Sequence, residues 1–291
     1  MLKRLPLLCA ALLALAACSH DSGTAQTTAT AVSSSAATTP AASAPAGTAT
    51  AATPGVSSSA APATAATSAA PTATTPAVAA APFVDDGKWV EGKDYERIDP
   101  AQPKLTSTDK IEVVEAFSYG CPACNAYHPT MNQLVKELPS NAVVAFLPAS
   151  FMPQENWVTL QRAYLTAQSL GVAEKANDAM YNAVWITREL SSMKPNDDGL
   201  KPKEALPTIA DIAKVYAKFG ADPKEFVAVS DSFTINTKMK RADELMKAYG
   251  VEGTPTLIID GKYRVNPLRL GDMAKSIELT KWLVAKEAAG K

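Results

Sequence analysis

One strand of this chain runs almost directly into a pair of cysteines. "IEVVEAFS", Ile111 to Ser118, is β-branched and largely apolar, the pattern of a strand covered on both faces. After Tyr119 and Gly120 come Cys121, Pro122, Ala123 and Cys124. Pro122 stands where a helix takes its first residue, and "NAYHPTMNQLVKEL" continues that helix. Pro129 lies inside it and is expected to kink it. "NAVVAFLPAS" then supplies a second strand ending at Pro148. A β–α–β unit with a dithiol in its first turn is the element around which the rest must fit.

From about Gln154 to Tyr249 the apolar residues recur at three- and four-residue spacing, which predicts roughly five helices and no strand. Asp222–Pro223 starts one of them. Gly171, Gly220 and Gly250 stand where helices stop, and "KPNDDGLKP" is a polar loop. Strands return as Leu257–Ile259 and Tyr263–Val265, joined by Asp260–Gly261–Lys262, a good hairpin signal. "DMAKSIELTKWLVAKEA" predicts a closing amphipathic helix with Ile277 and Trp282 on its buried face. The expected class is α/β, with an all-helical block inserted between βαβ and ββα.

The front of the chain reads differently. "MLKRLPLLCAALLALAAC" has Lys3 and Arg4 before an apolar run, Leu5 to Ala17, too short to span a bilayer comfortably. Residues 1–17 are expected to be a signal peptide. "LAAC" resembles the bacterial lipobox, which implies cleavage before Cys18, acylation of Cys18 and stable anchoring by several acyl chains. Ser19 and His20, with no aspartate directly after the lipidated cysteine, lean towards the outer membrane by the sorting rules of that class. From Ser22 to Val84 there is no charged residue; the tract is mostly Ala, Thr, Ser and Pro with few large apolar side chains. Such a tract cannot offset the entropy of ordering, so residues 18–84 are expected to be a disordered linker spanning about 40–45 Å. The formal net charge of -1 gives no reason to expect nucleic acid as a partner.

Four cysteines are present: Cys9, Cys18, Cys121 and Cys124. Cleavage removes the first and acylation blocks the second, leaving one pair. As a structural staple that pair would close a very short loop and restrain little of the unfolded chain. A structural zinc site wants four ligands, and the histidines are only His20 and His128, so no metal is expected. Copper handling with ligands from a partner is the remaining metal alternative. Redox chemistry fits better. A cysteine at a helix N-terminus meets unpaired N–H groups and the positive end of the dipole, which lowers its pKa. Cys124, one turn deeper, keeps an ordinary thiol. Cys121 would exchange with other thiols and Cys124 would resolve the mixed disulfide.

"VVEAFSYGCPACNAYHP" and "YGVEGTPTLIIDGKYRV" together resemble the DsbA-type thiol:disulfide oxidoreductases of the thioredoxin superfamily, and the resemblance covers about Trp89 to Lys286. It implies a thioredoxin fold whose first part is 85–153, with a helical insertion at 154–249 and a second part at 250–291. It implies Pro255 as a cis-proline, and Thr254 as the residue whose backbone meets substrate beside Pro122 and Ala123. Glu115 matches the buried acid that relays a proton to Cys124; an outward-facing residue is the alternative. The implied activity is introduction of disulfides into exported proteins in a bacterial periplasm. The redox-active Cys121–Cys124 disulfide would need no further cofactor. The implied partners are folding proteins with free cysteines and a quinone-linked DsbB-type membrane protein, the oxidase itself being a monomer. A reductase or isomerase, or a peptide- or copper-binding module, are the competing readings. Ala123 departs from the family's usual histidine, which puts the strength of oxidation in question. His128 reads as a surface or packing residue, with tuning as its alternative. Tyr119, Tyr127 and Phe151 are expected either to line an apolar peptide-binding surface or to be core.

Overall fold

The computed structural model describes residues 83–196 and 198–291; the expected signal peptide, Cys18 and the expected linker through residue 82 lie outside the described residues. Five strands form one sheet: β1 (Glu96–Arg97), β2 (Ile111–Phe117), β3 (Ala142–Pro148), β4 (Thr256–Ile259) and β5 (Tyr263–Val265), in the order β1-β5-β4-β2-β3. β2 and β3 are parallel, so the chain must cross over between them. The crossover is α1 (Pro122–Glu137), which continues through Pro129. The other pairs are antiparallel, β4 and β5 forming the predicted hairpin. Asp260 and Gly261 both take left-handed backbone there, with φ of 52° and 67°. β1 has no sequence signature, because two residues carry no period.

Five helices fill the interval between β3 and β4: α2 (Trp157–Ser169), α3 (Ala173–Trp185), α4 (Ile209–Ala217), α5 (Pro223–Ser230) and α6 (Phe233–Ala248). Asp222 caps α5, its carboxylate accepting from Lys224 N and Glu225 N. The last helix, α7 (Lys275–Ala288), starts three residues later than the sequence pattern suggested. Asp272 instead makes a turn ahead of it, accepting from Ala274 N.

The alternation of β2 and β4 sorts two apolar layers. Val114, Ala116 and Ile258 face the helical block with Tyr164, Tyr216 and Phe226. Val113, Leu257 and Ile259 face α1 and α7, among Tyr127, Leu134 and Leu283. Burial on both faces explains the unbroken apolar pattern of β2. Ile277 is buried in the second layer, while Trp282 is half-buried and packs on Phe83 and Tyr95. Cys121 and Cys124 belong to the first layer, where β2 delivers the chain to α1.

Candidate active site

Cys121 is the N-cap of α1, and Pro122 takes the first helical position. Its Sγ accepts from Cys124 N at 3.3 Å, so the sulfur meets one of the helix's free N–H groups. Its thiol donates to Thr254 O at 3.4 Å. Pro122 is exposed, Ala123 half-buried and Cys124 fully buried. Both cysteines are free thiols. The Thr254–Pro255 peptide is cis and brings the Thr254 carbonyl to Cys121 from the far side of the helical insertion.

The two sulfurs differ electrostatically. The Cys121 pKa is lowered to about 6, first by a hydrogen bond from the Cys124 side chain. Burial opposes this, while the Thr254 side chain and the N–H groups of Cys124 and Ala123 add to the lowering. The sequence alone pointed to the helix terminus; here the partner thiol comes first. Cys124 is pushed well above the ordinary thiol range, by burial, by its hydrogen bond to Cys121 and by the nearby charge of Glu115. The reduced pair therefore holds a thiolate at Cys121 and a thiol at Cys124 near neutral pH.

Glu115 points into the sheet layer, only 2% exposed. Its ladder neighbours are Phe146 on β3 and Leu257 on β4. Its Oε1 has no hydrogen-bond partner among the described residues. Burial, and then the charge of Cys121, push its pKa up to about 8.

Aromatic side chains hold the turn before Cys121. Trp185 Nε1 donates to Tyr119 O at 2.8 Å, and Tyr119 OH donates to Asn177 Oδ1 at 2.8 Å. The Tyr119 ring packs edge-on against Phe117 and Tyr181. A Cβ on Gly120 would lie 2.7 Å from Trp157 Nε1, so the indole seats against bare backbone. Tyr119 and Tyr127 are core residues, with their rings packed inside, which decides between the two expected readings in favour of core for these two. Phe151 is exposed and stacks on Trp157. His128 bridges α1 to α3: its Nε2 lies 2.6 Å from Asp178 Oδ1 and its ring packs on Tyr181. Sequence reasoning overlooked Gly120, Trp157 and Trp185. Gly120 had a local signal, a glycine directly before the first cysteine; the tryptophans lie on distant helices and had none.

This geometry supports dithiol–disulfide exchange. It offers one nucleophile at the helix N-terminus, one fully buried resolving thiol, a buried carboxylic acid close by and a carbonyl facing the reactive sulfur. The DSBA-like thioredoxin domain family matches residues 112–278. The thiol:disulfide interchange protein DsbA of Pseudomonas aeruginosa is 31% identical over 201 residues, which is 69% of this chain and 87% of that protein. The protein of the same name from Pseudomonas syringae pv. tomato is 32% identical over 198 residues, covering 68% and 84%. The crystal structure of Pseudomonas aeruginosa DsbA matches with a TM-score of 0.59 at 31% identity, covering 70% of this chain and 97% of that one.

Proposed function

The chain belongs to the DSBA-like thioredoxin domain family, and from that premise we propose that Cys121 and Cys124 carry its chemistry in the oxidising direction. The protein is a thiol:disulfide oxidoreductase of the DsbA kind. In the oxidised state a substrate thiolate attacks Cys121 Sγ, and the Cys121–Cys124 bond breaks. Cys124 leaves as a thiolate and takes a proton from Glu115. A second substrate thiolate then attacks the substrate sulfur of the mixed disulfide, expelling Cys121 as its stabilised thiolate. Two electrons have passed to the cysteine pair, and the substrate holds a new disulfide. No cofactor beyond that pair enters the cycle. Thr254 and cis-Pro255, with Pro122 and Ala123 opposite, form the edge along which the substrate backbone lies.

The observation that carries the direction is the seat of Cys121 Sγ at the N-terminus of α1, where it accepts from Cys124 N and its pKa is held low. A stabilised thiolate favours the reduced pair, which makes its disulfide an oxidant. The clients are exported proteins with free cysteines, and a DsbB-type membrane protein restores the disulfide. The N-terminal signal and "LAAC" support a bacterial periplasmic location on a Cys18 lipid anchor, with the outer membrane favoured; the proposed oxidase acts as a monomer. Equilibration in glutathione buffers, with ultraviolet titration of the Cys121 thiolate, tests the direction. A potential well above that of thioredoxin, about -270 mV, is expected, and a value at that level overturns the oxidase reading. Cys121→Ala is expected to abolish exchange. Retained exchange in that variant would sink the mechanism.

A further inference from the structure

The loop that meets Cys121 runs from Gly250 to Pro255, between α6 and β4. Its downstream end is tied to the sheet: Thr256 Oγ1 donates to Gly253 O at 2.7 Å, and Thr256 pairs with Ala116 of β2. Its upstream end is a helix terminus, where the last carbonyls lack intrahelical donors. Arg264 of β5 serves them. Its Nη1 donates to Tyr249 O at 3.1 Å and also to Gly250 O. Its Nη2 donates to Glu96 Oε2. Glu96 stands directly opposite on β1, and Arg269 Nη1 lies 3.7 Å from its other oxygen.

The Arg264 side chain is only 27% exposed. A guanidinium at that depth needs both a counter-charge and hydrogen-bond acceptors. Glu96 supplies the first and the helix end supplies the second, where a cation is also favoured by the dipole. Gly250 has φ of +64°, and a Cβ there would collide with Arg264 Nη1. Both the backbone turn and the approach of the guanidinium therefore require glycine. β1 thus contributes a carboxylate that aims Arg264 at the loop. Glu96 precedes the family-matched segment, which begins at residue 112, while Arg264 lies within it, nine residues beyond Pro255.

The geometry points to Arg264, oriented by Glu96, as a positioning residue for thiol exchange: it fixes the Gly250–Pro255 loop so that Thr254 stands over Cys121 and presents its backbone to the substrate. This rests on exchange through Cys121 and Cys124. Arg264 touches neither sulfur and acts through the loop alone.

Arg264→Ala, Arg264→Lys and Glu96→Gln in the full-length protein test it. The readouts are oxidation of a synthetic two-cysteine peptide, titration of Cys121 and thermal unfolding. Arg264→Ala is expected to raise KM roughly tenfold or more, since misplacement of a positioning element is costly. Cys121 is expected to titrate higher, because Thr254 helps to hold it low. Arg264→Lys recovers part of both, an ammonium reaching the carbonyls without spanning to Glu96. Glu96→Gln gives a smaller change of the same sign. A cooperatively unfolding Arg264→Ala with wild-type KM and Cys121 titration overturns the proposal. If that variant does not fold, unchanged KM and titration in Glu96→Gln and Arg264→Lys overturn it equally. Failure of the exchange reading is recognised separately, by exchange surviving in Cys121→Ala.

Discussion

Two carboxylates on β2 lie at nearly equal depth, and their surroundings are opposite. Glu112 is 0% exposed and Glu115 is 2% exposed. At the start of the strand, Glu112 accepts from Leu105 N and Thr106 N at 2.7 Å each, and from the Thr106 hydroxyl. Near its end, Glu115 lies between Phe146 and Leu257 with Oε1 unpartnered among the described residues, and its pKa rises to about 8. Burial alone therefore does not make an acid reactive. Glu112 has the hydrogen bonds a buried carboxylate needs and ties residues 105–106 to the sheet. Glu115 lacks them and sits beside a thiolate, so it holds a proton it can give up.

Substitution should separate the two most sharply. Glu112→Leu leaves two backbone N–H groups and a hydroxyl without their acceptor, and is expected to cost about 4 kcal/mol. Glu115→Leu removes an unsatisfied polar group from an apolar site and is expected to stabilise the fold above pH 7 while slowing exchange. Urea midpoints of both variants check this, and losses of equal size would erase the distinction.

The pH dependence gives the next effect. Glu115 has a folded pKa of about 8 against an ordinary 4.5, so between these values the folded state holds a proton that the unfolded state has lost. Its contribution is fully present below about pH 4.5 and is lost as pH rises through 8. Across that window the loss is about 3 kcal/mol, allowing for the Cys121 charge, which acts only once that thiol ionises. In Glu115→Gln the decline between pH 5 and 8 should largely disappear. A variant that keeps the wild-type slope would assign the effect elsewhere.

Gly120→Ala probes the turn above Glu115. Its Cβ would stand 2.7 Å from Trp157 Nε1 and 2.8 Å from Cδ1, so the indole or the turn must shift. About 2 kcal/mol of stability is expected to go, with slower exchange because Cys121 moves with the turn. Wild-type kinetics in this variant would mean that the aromatic seat does not position the thiol.

The scaffold was legible in the sequence wherever a period or a turn was long enough to read. β2, β3, the β4–β5 hairpin and the five-helix block carry repeating apolar patterns, and Asp222–Pro223 and Gly250 mark boundaries chemically. The cysteine pair was legible because its neighbours on both sides are local. Glu112 was not, since its donors, Leu105 and Thr106, lie in a segment with no pattern. Arg264 was not, since its acceptors are backbone carbonyls 14 and 15 residues away. Tyr119 was ambiguous because an aromatic beside an active-site cysteine looks alike whether it faces solvent or core. In each case the missing information is a contact between segments that share no repeating pattern, which composition and spacing do not encode.

Ala123→His acts on one end of β2 and leaves the other alone. Ala123 is half-buried, and its N–H already helps to lower the Cys121 pKa. An imidazole there adds a donor and, while protonated, a positive charge beside the thiolate. Cys121 should titrate about one unit lower, and the reduced pair gains accordingly. For a two-electron couple that raises the potential by roughly 30 mV. The imidazolium fades above about pH 6.5, so the gap between variant and wild type should narrow from pH 6 to pH 8. Part of the Cys121 field on Glu115 is offset as well, which lowers the pH at which Glu115 loses its proton. Glu112 has no such link to the sulfur, and its hydrogen bonds to residues 105–106 should be unaffected. Hydrogen exchange of the Leu105 and Thr106 amides checks that half of the prediction. A change there, with Cys121 titrating as in the wild type, would place the influence of residue 123 in the fold instead of in the thiolate.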